Sequence, residues 1–259
     1  MLSVLTWNIW FHPQNIIPRT THICDIINYH QTSVVCLQEV TRNSLIILKK
    51  NESLREMYNF FYDPSVIYTY GELMLVKKEF KCSFKSTIFD NTNMGRRINV
   101  VYLVDLNIEV YTVHLESVFR NKAKVKKEQF EYLMKLASSS NSDVIITGDM
   151  NLEEDDKWAD DILYKYDIID ACPDNFKKDY TYDCKKNSHV NRFQSRLDRI
   201  FYKDVLETKT LTPQMYNLVG KDTFSVNESN ERNKSNKYEK IHPSDHFGII
   251  SSFDYDDYL

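Results

Sequence analysis

No apolar run in this 259-residue chain approaches the ~20 residues a bilayer span requires, so no membrane-embedded protein is expected. The opening residues, Met1-Leu2-Ser3-Val4-Leu5, carry neither a basic n-region nor a small-residue cleavage site, so no secretory signal is expected. No Cys-x-x-Cys occurs. The five cysteines (Cys24, Cys36, Cys82, Cys172, Cys184) lie far apart and are odd in number. That pattern argues against a disulfide frame or zinc site and for reduced thiols in a nuclear or cytoplasmic protein. Internal repeats are missing as well. So is any excess of positive charge: 33 Lys and Arg stand against 37 Asp and Glu, a net charge of -4. A nucleic-acid ligand would therefore have to meet a local basic patch.

What is there suits one layered α/β domain over 1–259. At 42% hydrophobic and 27% charged, the chain can build a sizeable core. Short runs rich in Val, Ile, Tyr and Phe predict strands at Val4–Asn8, Val34–Gln38, Glu72–Val76, Ile98–Asp105, Glu109–His114, Val144–Gly148, Arg199–Tyr202 and Phe247–Phe253. Helical periodicity predicts helices over Thr20–Tyr29, with Pro18 just before it, Thr41–Lys49 and Lys122–Leu136. The stretch 221–240 is mostly Asn, Ser, Lys and Glu and reads as a flexible polar surface loop.

Four polar clusters end strand-like runs: Thr6-Trp7-Asn8, Leu37-Gln38-Glu39, Gly148-Asp149-Met150-Asn151 and Pro243-Ser244-Asp245-His246. In layered α/β folds, strand ends are where functional side chains converge. Carboxylates and amide oxygens are hard donors suited to Mg²⁺ or Mn²⁺, and a histidine beside them suits hydrogen bonding to a phosphoryl oxygen. Taken singly, each cluster reads more readily as a strand meeting water or a turn than as a site. Ser244-Asp245-His246 also invites a triad with Ser244 as nucleophile. That reading leaves Asn8, Glu39 and Asp149-x-Asn151 without a role, and no Gly-x-Ser-x-Gly elbow is present.

In this order, the four clusters resemble the endonuclease/exonuclease/phosphatase (DNase I-like) superfamily across residues 6–248. The resemblance implies a four-layer sandwich: two mixed β-sheets packed face to face, helices on both outer faces, and a site at one rim. Further runs resemble the tyrosyl-DNA phosphodiesterase 2 branch: His114-Leu115-Glu116-Ser117, Asp149-Met150-Asn151-Leu152, Tyr180-Thr181-Tyr182-Asp183, Arg196-Leu197-Asp198-Arg199-Ile200-Phe201 and Pro243-Ser244-Asp245-His246-Phe247-Gly248. The segment Met94 to Val101 falls where that family carries Met-Arg before a strand. Two places depart from the family. Glu153-Glu154 stands where it usually has Arg-Asp, and Trp10-Phe11-His12 replaces an acidic-glycine turn. The chain reads as a catalytic core without the family's ubiquitin-binding domain.

The branch implies hydrolysis of the bond between a tyrosine, from a trapped topoisomerase II-type adduct, and a DNA 5′ end, leaving a 5′-phosphate. It further implies DNA repair and Mg²⁺ with Mn²⁺ able to substitute; no association segment is visible, so a monomer is expected. RNA stays open as a substrate, as do the other superfamily branches and a non-catalytic module. By the same resemblance Glu39 is the first metal ligand, with Asn8 and Asp245 orienting the metal shell or binding in turn. Asp149 is to orient and partly deprotonate the attacking water, Asn151 to hold water or phosphate, and His246 to donate to a non-bridging oxygen. Asp198 is to hydrogen-bond His246, while His114 and Ser117 complete the phosphate pocket. Arg97 is expected to face phosphate, and Tyr182 is either core or a base-stacking platform. Arg120, Lys122, Lys124, Lys126 and Lys127 form a candidate DNA-facing cluster or a solvated helix start.

Overall fold

The computed structural model describes residues 1–65, 69–117, 123–205, 209–229 and 236–257. In chain order the strands are β1 (Leu2–Asn8), β2 (Val34–Val40), β3 (Tyr58–Phe61), β4 (Gly71–Lys77), β5 (Cys82–Ile88), β6 (Arg97–Leu103), β7 (Ile108–His114) and β8 (Asp143–Asp149). They continue as β9 (Ile169–Asp170), β10 (Tyr182–Asp183), β11 (Gln194–Ser195), β12 (Asp198–Lys203), β13 (Lys209–Val219), β14 (Phe224–Ser229), β15 (Asn236–Ile241) and β16 (Gly248–Asp257). The helices are α1 (Ile16–His30), α2 (Arg42–Lys50), α3 (Glu52–Met57), α4 (Ala123–Ser138) and α5 (Trp158–Tyr166).

Two six-stranded mixed sheets form, ordered β13-β16-β1-β2-β4-β3 and β5-β6-β7-β8-β12-β9. Each has one parallel pair near its centre, β1 with β2 and β7 with β8. Alternation along these strands sorts side chains into three apolar layers. Val4, Val34, Cys36, Val110, Ile145 and Ile200 meet between the sheets. Leu5, Val35, Leu37 and Leu75 face outward onto Ile23 and Ile27 of α1 and Leu45 and Leu48 of α2. Val113, Ile146 and Phe201 face outward onto Phe130 and Leu133 of α4 and Ile162 of α5. This is the expected four-layer α/β sandwich. No helix among the described residues is long and apolar enough to cross a membrane.

Local chemistry explains the boundaries. Thr41 caps α2 in a reciprocal box with Ser44, and Asn51 accepts from the Leu54 N–H to cap α3. α1 begins at Ile16, ahead of its expected start. Pro18 sits in its first turn, where no intrahelical N–H bond is lost. The polar stretch 221–240, expected as a loop, instead pairs as the β14–β15 ribbon. Val226 and Ile241 are buried and Phe224 stacks on His22 at 4.5 Å, contacts that tie a mostly polar ribbon to α1. The 230–235 part of that stretch lies outside the described residues.

Gly148 has φ +135°, and a Cβ there would meet the Val113 carbonyl oxygen at 2.0 Å. Gly148→Ala combines a strained backbone with overpacking, so a loss of about 3 kcal/mol is expected in denaturant unfolding. A loss below about 1 kcal/mol, the average for any substitution, would show that β7 and β8 can separate locally.

Candidate active site

The inner faces of four central strands change character along their length. β1 runs Val4, Thr6, Asn8; β2 runs Val34, Cys36, Gln38; β7 runs Val110, Thr112, His114; β8 runs Ile145, Thr147, Asp149. Apolar side chains give way to a buried polar layer in which Gln38 Nε2 donates to Thr6 Oγ1 (3.2 Å) and Thr112 Oγ1 (3.0 Å). Beyond it lie Asn8, His114 and Asp149, buried at one rim. β12 runs the other way, so its first residue, Asp198, reaches the same rim opposite Asp149.

Asp149 is the centre of this group. Its Oδ2 accepts from Asn8 Nδ2 (2.9 Å) and lies 3.4 Å from His114 Nε2 and 4.0 Å from His246 Nε2. Its Oδ1 accepts from the Asn151 N–H (2.9 Å). Burial pushes its carboxyl upward, but His114, His246, Asn8 and Asn151 together hold it below the usual range. It is therefore a carboxylate, better fitted to orient a water than to take its proton outright.

The two histidines are prepared in opposite ways. Arg96 Nη1 lies 2.9 Å from His114 Nδ1. Because arginine only donates, Nδ1 must accept and Nε2 carries the proton. Burial and Arg96 keep His114 well below its ordinary pKa, so it is a neutral donor. His246 Nδ1 lies 2.7 Å from Asp198 Oδ2. Although burial opposes its charge, Asp198 leads a set of carboxylates that raise it well above its ordinary value, so it is a cation. The backbone around it is fixed by Trp7 Nε1 donating to the His246 carbonyl (2.9 Å) and by Ser244 Oγ accepting the His246 N–H (3.2 Å). Ser244 Oγ itself donates to the Asn8 carbonyl (2.6 Å) and touches no histidine ring, which removes the triad reading.

Glu39 reaches the rim by a different device. Alternation would send it outward after Gln38, but the β2–β4 register shifts between Leu37 and Val40 and Glu39 takes φ +59°. The bulge turns its carboxylate inward, where Oε2 accepts from the Phe11 N–H (2.9 Å). Burial, then Asp245, raises Glu39 to about 7. Burial leads in raising Asp245 as well, with Asp149 and Asp198 adding to it. Two carboxylates that each oppose the other's charge fit a hard divalent cation, and their donor set is all oxygen. A second trio, Asp149, Asp198 and His246, has ligand atoms within 4.8 Å of one another. There Asp198 and His246 already satisfy each other, so Glu39 and Asp245 fit a cation better.

Arg19 lies ahead of the helix expected at Thr20–Tyr29, and nothing in the sequence marks it for burial. It is buried, and its guanidinium donates to the carbonyls of Ile9, Trp10, His12, Gln14 and Pro243. It thereby moulds the Trp10-Phe11-His12 turn and ties it to the Asp245-His246 segment. Arg96 belongs to the Met94 to Val101 segment, where the sequence pattern points to Arg97 instead. Arg97 does not join the site: Nη2 pairs with Asp63 Oδ2 (2.5 Å) and Nε donates to Ser86 (2.9 Å), so its guanidinium is spent on β5 and the segment after β3. Ser117 also stands apart, its hydroxyl directed at Met94 Sδ (3.6 Å). Tyr182 lies beside the site, its ring edge-on to His246 at 5.2 Å and 4.9 Å from Phe193. Asn151 takes φ +50°, and its Nδ2 donates to the Leu115 carbonyl (3.0 Å). In the basic run, Lys124 and Lys127 are exposed but Lys126 is buried; Arg120 and Lys122 lie outside the described residues.

Residues 5–246 match the model described as the Endonuclease/Exonuclease/phosphatase family. Tyrosyl-DNA phosphodiesterase 2 of Bos taurus is 26% identical over 98% of this chain and 68% of its own length. The Xenopus laevis protein of that name is 27% identical over 97% of this chain and 66% of its own length. The chain thus spans about two thirds of these relatives. The crystal structure of D. rerio TDP2 complexed with single strand DNA product superposes with a TM-score of 0.75, at 23% identity, covering 98% of each chain. At that identity the likeness concerns the fold.

Proposed function

Because the chain belongs to the endonuclease/exonuclease/phosphatase family, we propose that it is a Mg²⁺-dependent phosphodiesterase that releases tyrosine from a DNA 5′ end and leaves a 5′-phosphate. The observation that carries this reading is the pair of oppositely prepared donors, neutral His114 and cationic His246, flanking the Asp149 carboxylate. Similarity to tyrosyl-DNA phosphodiesterase 2 along nearly the whole chain supports the choice of substrate.

A phosphodiester carries negative charge that grows on its non-bridging oxygens during in-line displacement. His246, held charged by Asp198, donates to one such oxygen, and His114 donates through Nε2–H to another. Asp149, fixed by Asn8 and the Asn151 N–H, aligns the attacking water. Glu39 and Asp245 would hold the divalent cation, which when bound supplies further neutralisation of phosphate charge. The leaving phenol has a pKa of ~10, lower than a sugar alcohol's, so the bond needs no strong general acid. Tyr182, beside His246, offers a face to the first base. Asn8 spends its amide on Asp149 and the Trp10 N–H, which makes it a positioning group for Asp149 rather than a metal ligand.

The test is a 5′-phosphotyrosyl oligodeoxynucleotide with Mg²⁺, run beside its RNA counterpart and an abasic-site duplex. Expected is a 5′-phosphate product from the DNA, lost with chelator and restored by Mg²⁺ or Mn²⁺. Cleavage of the abasic duplex alone would move the chain to another branch of its family, and preference for the RNA would reassign the polymer.

A further inference from the structure

The lysine that departs from its basic run offers more than a solvated helix start. Lys126 on α4 is 1% exposed. A buried ammonium is costly unless paired and hydrogen-bonded. Its Nζ donates to the Asn151 carbonyl at 2.7 Å and contacts the Asp156 carboxylate. Asp156 in turn accepts from the Glu153 N–H and from Trp158 Nε1, both at 2.9 Å. The chain from Asn151 to Trp158 is thus folded around one ion pair beneath the rim.

Asn151 takes φ +50°, in the left-handed region that asparagine tolerates better than most residues with a side chain. Its N–H fixes Asp149 Oδ1. One turn along the same helix face, buried Gln129 accepts the Glu116 N–H (3.0 Å), so α4 grips both loops that carry the site.

We propose that Lys126 is a positioning residue of the reaction: its ammonium holds the Asn151 carbonyl and, through the Asn151 N–H, aims Asp149 at the scissile phosphate. The proposal rests on the phosphodiesterase reading. Misplacement of about 1 Å far from the chemistry costs on the order of 10²-fold in rate, and Lys126 acts on alignment rather than on substrate affinity.

The experiment measures kcat and KM on thymidine 5′-(4-nitrophenyl phosphate), together with hydrogen exchange of the Asn151 amide. Lys126→Met is expected to lower kcat by about 10- to 100-fold, with KM unchanged and faster Asn151 exchange. Lys126→Arg should recover most of kcat, and Lys135→Met, at an exposed position of the same helix, should match the wild type. Asp156→Asn leaves the ammonium on the Asn151 carbonyl but unpaired, so it should lower stability while costing less kcat than Lys126→Met. If Asp156→Asn costs as much as Lys126→Met, the lysine is only half of a structural ion pair. A rise in KM at constant kcat would make it a phosphate-binding lysine, and unchanged Asn151 exchange would break the proposed route; each overturns the proposal. Should Lys126→Met not fold, Lys126→Gln reads the same comparison. If the wild type leaves this diester untouched, the phosphodiesterase reading fails, while Asn151 exchange still decides what Lys126 holds.

Discussion

Glu39→Gln is expected to lower kcat/KM on a 5′-phosphotyrosyl oligonucleotide by at least about 10³-fold, the scale of losing several kcal/mol of charge stabilisation. The amide keeps the side chain's size and can still accept the Phe11 N–H, so the bulge has no reason to relax. What it removes is a charge that the cation-free fold disfavours: Glu39 is raised to about 7 by burial and then by Asp245. Without added metal, Glu39→Gln should therefore unfold no earlier than the wild type on heating. The same feature sets a pH dependence. A carboxyl raised to about 7 is protonated below that pH, and a cation must displace that proton. The Mg²⁺ concentration for half-maximal activity should accordingly rise as pH falls below 7 and level off above it. Activity within tenfold of wild type in Glu39→Gln would move the cation to the Asp149, Asp198 and His246 trio.

His246→Gln is expected to reduce kcat by about 10²- to 10³-fold, the usual effect of losing one prepared donor, with a smaller change in KM. Asp198→Asn separates charge from position. The imidazole remains, but its Nδ1 loses the carboxylate at 2.7 Å that leads in raising its pKa. The sign follows directly. In the wild type the protonated donor persists well above the ordinary histidine value, and activity falls only as pH rises through the raised pKa. In Asp198→Asn that pKa drops, so the alkaline limb of the pH–rate profile moves toward lower pH while the acid limb stays. An unmoved alkaline limb would mean that His246 acts uncharged.

Much of this architecture is legible in the chain. The eight expected strands all lie in the two large sheets, because each couples β-branched composition to alternation or full burial. The strands that escaped notice are those the composition disguises. β5 reads Cys-Ser-Phe-Lys-Ser-Thr-Ile, an edge strand half in water, and β13 carries Pro213 at a register shift. α5 was hidden because its Asp160-Asp161 and Lys165 dominate a short stretch. At the site, the clusters ending β1, β8 and the run before β16 gave away their residues. The choice between Arg96 and Arg97 turns on which side of the chain faces His114 as β6 begins, and composition carries no trace of it. The burial of Arg19 and of Lys126, the latter expected to face DNA or solvent, leaves no trace in composition, since a long cation looks the same whether it snorkels to water or inward to carbonyls.

The position of β16 has a consequence for synthesis. β1 lies between β2 and β16, and Leu2 pairs with Phe253, so β1 is made about 250 residues before the strand that closes its edge. Until then the nascent β1 exposes an unpaired edge, and Trp7 lacks both Gly248, over which its ring lies, and the His246 carbonyl that its indole N–H caps. Contacts of such sequence separation form slowly. A ribosome-bound chain stalled ahead of Asp245 would hold most of the layered body, with Glu39, His114, Asp149 and Asp198 already made, but would lack Asp245 and His246.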